Sequence, residues 1–151
     1  MSTGSVTIRV YGICINEGKL LVADEFIHKQ HVTKLPGGGL EFGEGTIDCL
    51  IRELKEESGE RIQVLDHFYT TDFFQVSIFD PSKQVMSIYY TFHFLDKTKF
   101  RVKEKPFDYD ELIDDAIAFR WIDLKQLKKE DFTLPIDQLV AEKIIDLHRK
   151  K

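Results

Sequence analysis

The chain is short of the features that would tie it to a membrane, a nucleic acid or an oxidising compartment. It has two cysteines, Cys14 and Cys49, too few for a disulfide framework and in no metal-ligand spacing. Both stand among apolar neighbours, so buried free thiols are expected. No apolar run reaches the roughly 18 residues of a membrane span. The opening MSTGSVTIRV lacks a basic stretch followed by a long apolar one, so a cytoplasmic protein with no membrane partner is expected. Positive charge is not in excess either. Lys and Arg number 21 against 26 Asp and Glu, a formal charge of −5, which argues against a general nucleic-acid binder. No repeat, low-complexity block or linker divides the chain, so one domain over residues 1–151 is expected.

What the chain does have is a length suited to burying roughly two-thirds of its unfolded surface. Its 12 Phe and 5 Tyr point to an aromatic-rich core or an aromatic-lined pocket. Residues 6–15 alternate and are rich in β-branched side chains, and residues 19–23 are again apolar. Between them Asn16, Glu17 and Gly18 supply a turn, so a β-hairpin is predicted. Residues 26–33 read as a loop, and Leu35-Pro36-Gly37-Gly38-Gly39 as a strand end entering an irregular turn. A helix is predicted over 46–58, where Ile47, Leu50, Ile51 and Leu54 follow the i, i+3, i+4, i+7 rule. Gly45 or Thr46 suits its N-cap, and Gly59 the left-handed position beyond its end. Residues 62–69, 73–79, 85–95 and 119–122 read as strands. Residues 97–115 read as an acidic surface loop and 124–129 as a short helical turn. Pro135 opens a last helix carrying Leu139, Ile144, Ile145 and Leu147. Strands and helices mixed without regular alternation predict an α/β fold, a sheet sandwiched by two or three helices.

The chemistry is concentrated in residues 38–60, GGLEFGEGTIDCLIRELKEESGE. Glu53, Glu56 and Glu57 occupy i, i+3 and i+4 of the helix and form one patch, expected about 120° from the apolar stripe. Carboxylates so close repel unless a cation joins them, and hard oxygen ligands select Mg²⁺ or Mn²⁺. Such an ion would screen substrate charge and lower the pKa of a bound water. Arg52 can pair with a carboxylate and fix its direction. An E-x-x-E-E run alone is usually a solvated helix face. Here it belongs to the longer pattern G-x5-E-x7-R-E-U-x-E-E-x-G, with U aliphatic. Gly38, Glu44, Arg52, Glu53, Leu54, Glu56, Glu57 and Gly59 meet it. Chance would match the fixed positions at about one start in 10⁸.

The segment resembles the signature of the Nudix hydrolase family, and Leu35 to Glu41 resembles the family's frequent L-P-G-G-G-x-E lead-in. The resemblance implies a Nudix-type α/β/α sandwich with a mixed central sheet. It also implies hydrolysis of a nucleoside diphosphate linked to some moiety X, by water attack on a phosphorus of the pyrophosphate bridge. Mg²⁺ or Mn²⁺ would be held by Glu53, Glu56 and Glu57, with the Gly37 carbonyl contributing. Glu44 would help from the outer shell, and Arg52 would orient a glutamate. In such families the general base lies either in the box, here Glu53 or Glu57, or on a distal loop. Glu111, Asp114 and Asp115 are the distal acids, and Asp115 is the candidate to reach the metals. One position departs from the pattern: Glu60 stands where the family usually has an aliphatic residue.

For the substrate, a stacking surface is needed, and Phe73, Phe74, Tyr89 and Tyr90 are candidates, although strand aromatics are more often core. Lys29, in the His28–His31 loop, is a candidate phosphate contact. The proline that resembles an ADP-ribose hydrolase marker, expected some 16 residues past the box, is absent; Gln75 and Val76 lie there. The tyrosine of dinucleoside polyphosphate hydrolases is absent too, and no coenzyme A motif is evident. The expected partner is a small-molecule nucleotide or nucleotide sugar. Two rival readings are a non-hydrolytic nucleotide-sensing module of the same fold and an enzyme clearing oxidised nucleoside triphosphates. Strand edges and many aromatics make a homodimer plausible.

Overall fold

The computed structural model describes residues 3–149, and they fall into two compact units. The first comprises residues up to Ile13 together with Pro36–Lys99, and the second Cys14–Leu35 together with residues from Phe100 onward.

The first unit is built on a mixed four-stranded sheet. Strand β1 (Ser5–Ile13) lies between β5 (Gly37–Gly39), antiparallel to it, and β7 (Lys83–Phe94), parallel to it. β6 (Ile62–Thr70) pairs antiparallel with β7 on the far side. Helix α1 (Thr46–Ser58) packs on one face of this sheet. It begins at the Gly45 N-cap, where the Gly45 amide donates to Asp48 Oδ2 at 3.3 Å. It ends at Gly59, whose left-handed backbone (φ 77°) lets its amide donate to the Lys55 carbonyl.

The second unit is an antiparallel sheet. β3 (Lys19–Ile27) pairs with β2 (Ile15–Asn16), β4 (Gln30–Lys34) and β8 (Ile117–Asp123). A 3₁₀ turn (Lys129–Asp131) and helix α2 (Pro135–Arg149) follow. Pro135 is the first residue of α2, as its fixed φ favours. Mixed sheet and helices make the class α/β, as predicted. No helix among the described residues is long and apolar enough to cross a membrane.

Several local predictions are corrected. The turn at Glu17 and Gly18 forms, both with positive φ, but only Ile15–Asn16 pairs across it, because β1 belongs to the other sheet. Residues 26–33 are not a loop. They complete a hairpin whose turn residues His28 and Lys29 take φ of 49° and 61°. Residues 73–79 form no named strand; only the bridge Val76–Gln84 and its flanking hydrogen bonds continue the ladder. The buried side of α2 is Ile136, Val140, Ala141 and Ile144, whereas Leu147 is half exposed. Glu60 is buried, and its Oε1 accepts the Lys99 amide at 2.7 Å. It thereby caps a backbone donor where an aliphatic residue was expected, while Ile62 is buried beside it in sequence.

Candidate active site

The site grows from the way α1 divides its surface. The predicted stripe of Ile47, Leu50, Ile51 and Leu54 is only half right. Leu50 and Leu54 are buried with Cys49, but Ile47 and Ile51 are exposed. At about 100° per residue, Cys49, Glu53, Glu57, Leu50 and Leu54 fill one continuous arc of roughly 140°. Two glutamates therefore stand inside the inward-facing arc and not 120° away from it. Glu53 and Glu57 are accordingly half-buried, with Glu57 Oε2 shielded from solvent, while Glu56 at the rim is exposed. Turning the helix this way pushes Ile51, about 60° beyond Leu54, outward, while Ile47 sits at the rim in the first turn.

Against this arc lies β5, and its three glycines set the distance. A Cβ on Gly37, whose φ is 140°, would strike the Val10 carbonyl oxygen and Tyr11 Cα. A Cβ on Gly38 would come within 2.5–2.7 Å of the Glu53 carboxyl group. Glycine at 38 is thus what lets the Glu53 carboxylate rest against the strand. The partner at Gly38 is the mobile end of a side chain, not backbone. Gly38→Ala is therefore expected to leave the melting temperature within about 2 °C, yet to cost activity about 10²-fold by displacing that carboxylate. A thermal melt beside a turnover assay checks this; unchanged turnover would mean that the position of Glu53 does not matter.

Arg52 gathers the carboxylates. Its Nε and Nη2 donate to the two oxygens of Glu44 at 3.0 and 2.7 Å. Its Nη1 donates to Glu53 Oε1 at 3.0 Å and to Glu56 Oε2 at 3.2 Å. Glu41 Oε1 lies 3.8 Å from the same nitrogen. Nη2 also donates to the Gly39 carbonyl at 3.0 Å, tying the cluster to β5. Glu44 in turn accepts the Glu41 amide at 2.9 Å. Among the described residues no three His, Cys, Asp or Glu side chains form a ready cation cage; the acids converge on the guanidinium instead. The donors are nonetheless all oxygen, the chemistry that hard divalent cations require.

The Arg52 hydrogen bond, helped by the Glu41 amide, pulls the Glu44 pKa from 4.5 down to about 2. A lowered pKa stabilises the fold above the ordinary value, and the gain is lost as pH falls towards 2. Glu44→Gln should therefore melt below the parent protein at pH 7, with the two curves converging between pH 4.5 and 2. A gap of constant size down to pH 2.5 would contradict the pairing. Cys49 sits within the cluster, its Sγ 3.5 Å from the Gly39 carbonyl oxygen and 3.7 Å from Arg52 Nη2. Burial first, and the Glu44 carboxylate next, push its pKa up to about 12. Cys14 is likewise raised to about 12 by burial. Both are the buried thiols expected.

The structure thus brings together Glu44, Arg52, Glu53 and Glu56 beside the glycine strand that contains Gly37. The sequence reading did not anticipate Glu41 or Cys49 in this group. Their positions three residues before Glu44 and before Arg52 were the only signals. The pocket candidates scatter. Tyr89 is fully buried, with Tyr11 and Tyr69 rings 5.4 and 6.4 Å away, so it is core and presents no open face for stacking. Tyr90 hydroxyl bonds Thr46 Oγ1 at 2.7 Å, fixing the start of α1. Phe73 and Phe74 are exposed. Lys29 and Asp115 belong to the second unit. Lys29 lies at the exposed hairpin turn, and Asp115, with φ 68°, donates its amide to the Phe26 carbonyl at 2.8 Å.

Comparison with known proteins agrees with this picture. The NUDIX domain description matches residues 5–142. No curated protein matches the chain. Among solved structures, the E. coli ORF135 protein superposes with a TM-score of 0.73 at 17% identity, covering 100% of this chain and 96% of its own. A MutT protein from Methanosarcina mazei Go1 gives 0.68 at 22% identity, covering 99% of each. A NUDIX hydrolase from Nitrosomonas europaea gives 0.68 at 17%, covering 93% of this chain and 88% of its own. At these identities the likeness is one of fold.

Proposed function

The chain belongs to the NUDIX domain family, and from that premise we propose that it is a metal-dependent pyrophosphohydrolase. Its substrate is a nucleoside diphosphate linked to a second moiety, a nucleotide or nucleotide sugar, and water attacks a phosphorus of the pyrophosphate bridge. Glu53, Glu56 and Glu57, with the Gly37 carbonyl, are the groups that would hold Mg²⁺ or Mn²⁺. The ion supplies charge screening for the phosphates and a bound water of lowered pKa.

The chain's own residues do the positioning. Arg52 fixes Glu53 and Glu56 from one nitrogen and anchors itself by the paired bonds to Glu44. Glu44 thereby acts at one remove, by holding the guanidinium. Glu53 and Glu57 are the candidates to accept the proton of the attacking water. Phe73, Lys29 and Asp115 remain candidates for substrate contact or, for Asp115, a distal base.

The observation that carries this reading is the arrangement of four acidic side chains around one guanidinium, against a strand stripped of side chains. The test is a panel of nucleoside diphosphate derivatives and nucleoside triphosphates, incubated with Mg²⁺ and with chelator. Hydrolysis of at least one member is expected only with the metal. No hydrolysis of any member would overturn the proposal and favour a binding module.

A further inference from the structure

The mixed sheet of the first unit leaves part of one face bare. The register puts Val6 opposite Gln84 and Ile8 opposite Met86, and the bridge puts Val76 opposite Gln84. The Ser77 amide donates to the Lys83 carbonyl and the Val85 amide to the Gln75 carbonyl, which brackets that bridge on both sides. Side chains alternate across a strand. Val6, Val76 and Met86 therefore point to one side, Phe74 and Ile78 stand two residues either side of Val76, and Val6, Phe74, Val76, Ile78 and Met86 are all exposed: 60%, 72%, 36%, 46% and 37%. Their sequence neighbours Gln75, Ser77 and Val85 are less exposed. An apolar set turned outward in strict alternation reverses the usual pattern of a one-sided sheet.

Next to Val6 the face continues into a groove of about 320 Å³ lined by Val6, Thr7, Ile8, Leu40, Glu41 and Phe42. Phe42, at its rim, is fully exposed. One surface thus carries a protruding ring and a recess of a size to receive one. That combination is self-complementary, which is what a two-fold interface between identical subunits demands. The residues named on this face carry no charge apart from Glu41 at the groove, and aromatic and Met side chains in place of charges characterise interface centres.

The area agrees. With aromatic side chains burying about 150–250 Å² each, Phe42 and the five apolar residues of the face together expose on the order of 600 Å² per copy. Two copies would bury about 1,200 Å², above the roughly 1,000 Å² a specific interface needs.

We infer that the chain forms a homodimer through this face, with Phe42 of each copy seated in the groove of the other. The inference stands independently of the hydrolase reading, since the measurement reads association and not turnover.

Light scattering on a sizing column tests it. The protein is expected at twice the mass of the 17.6 kDa chain. The Phe74→Glu/Val6→Glu variant should run as monomer, at least tenfold weaker in association, with an unchanged circular dichroism spectrum. Leu147→Glu, an exposed apolar position on α2, should remain dimeric. Should the double charge variant lose its spectrum, the milder Phe74→Ser decides by the same criterion. A parent protein that is monomeric at its highest soluble concentration overturns the inference. So does a dimer that the face variants leave intact, or association that continues into open-ended assemblies.

Discussion

Arg52→Ala should lower the melting temperature by roughly 6–12 °C, the equivalent of about 3 kcal/mol in a chain of this size. The guanidinium makes two bonds to Glu44, one each to Glu53 and Glu56, and one to the Gly39 carbonyl. Bonds to charged groups contribute about 1.5–3 kcal/mol when both partners are sheltered. Glu44 and Glu53 side chains are only 15% exposed, so their pairing with Arg52 is weakly screened, while Glu56 at 59% adds little. Removing the cation leaves Glu41, Glu44, Glu53 and Glu56 facing one another with no counter-charge. Arg52→Lys should recover less than half of the loss, because a single ammonium cannot make the paired contact with Glu44 while reaching Glu53. Scanning calorimetry at low ionic strength checks both variants. A shift smaller than 1 °C for the alanine variant would show that Arg52 organises nothing.

Glu57→Gln is the complementary experiment, with a large effect on rate and a small one on stability. The change is isosteric and removes only the ability to carry negative charge and accept a proton at a half-buried position. Turnover with Mg²⁺ should fall about 10³-fold, within the range of a lost general base, while the melting temperature stays within a few degrees. Calorimetric titration of Mg²⁺ should show weaker binding by the same variant, a readout independent of substrate. Full activity in Glu57→Gln would sink the assignment of the box glutamates. Set beside Arg52→Ala, the pair separates organising from reacting: one variant should lose stability with activity, the other activity alone.

The legible parts of the sequence were those where local rules and global fold agree. Gly59 ends α1 because a left-handed residue is needed there, and Pro135 starts α2 because its φ is already helical. The box itself was readable because its spacing is fixed by a helix and one turn, both local objects. What escaped were features fixed by pairing over long distances. Residues 26–33 looked like a loop because polar residues occupy a hairpin turn. Residues 73–79 looked like a strand because they alternate, yet their apolar side chains face outward. Alternation reports a period; it does not say which face meets the core.

The same distinction applies to the acidic box. The order of residues alone determined that Arg52, Glu53, Glu56 and Glu57 share one side of a helix next to a glycine turn, because helical periodicity carries no more information than spacing. Only tertiary structure decided which way that helix is rolled. Placing Gly38 against the Glu53 carboxyl group requires β5 to pair with β1 and α1 to pack on the resulting sheet. These contacts join residues more than ten positions apart, and they turn two glutamates inward at the cost of exposing Ile51.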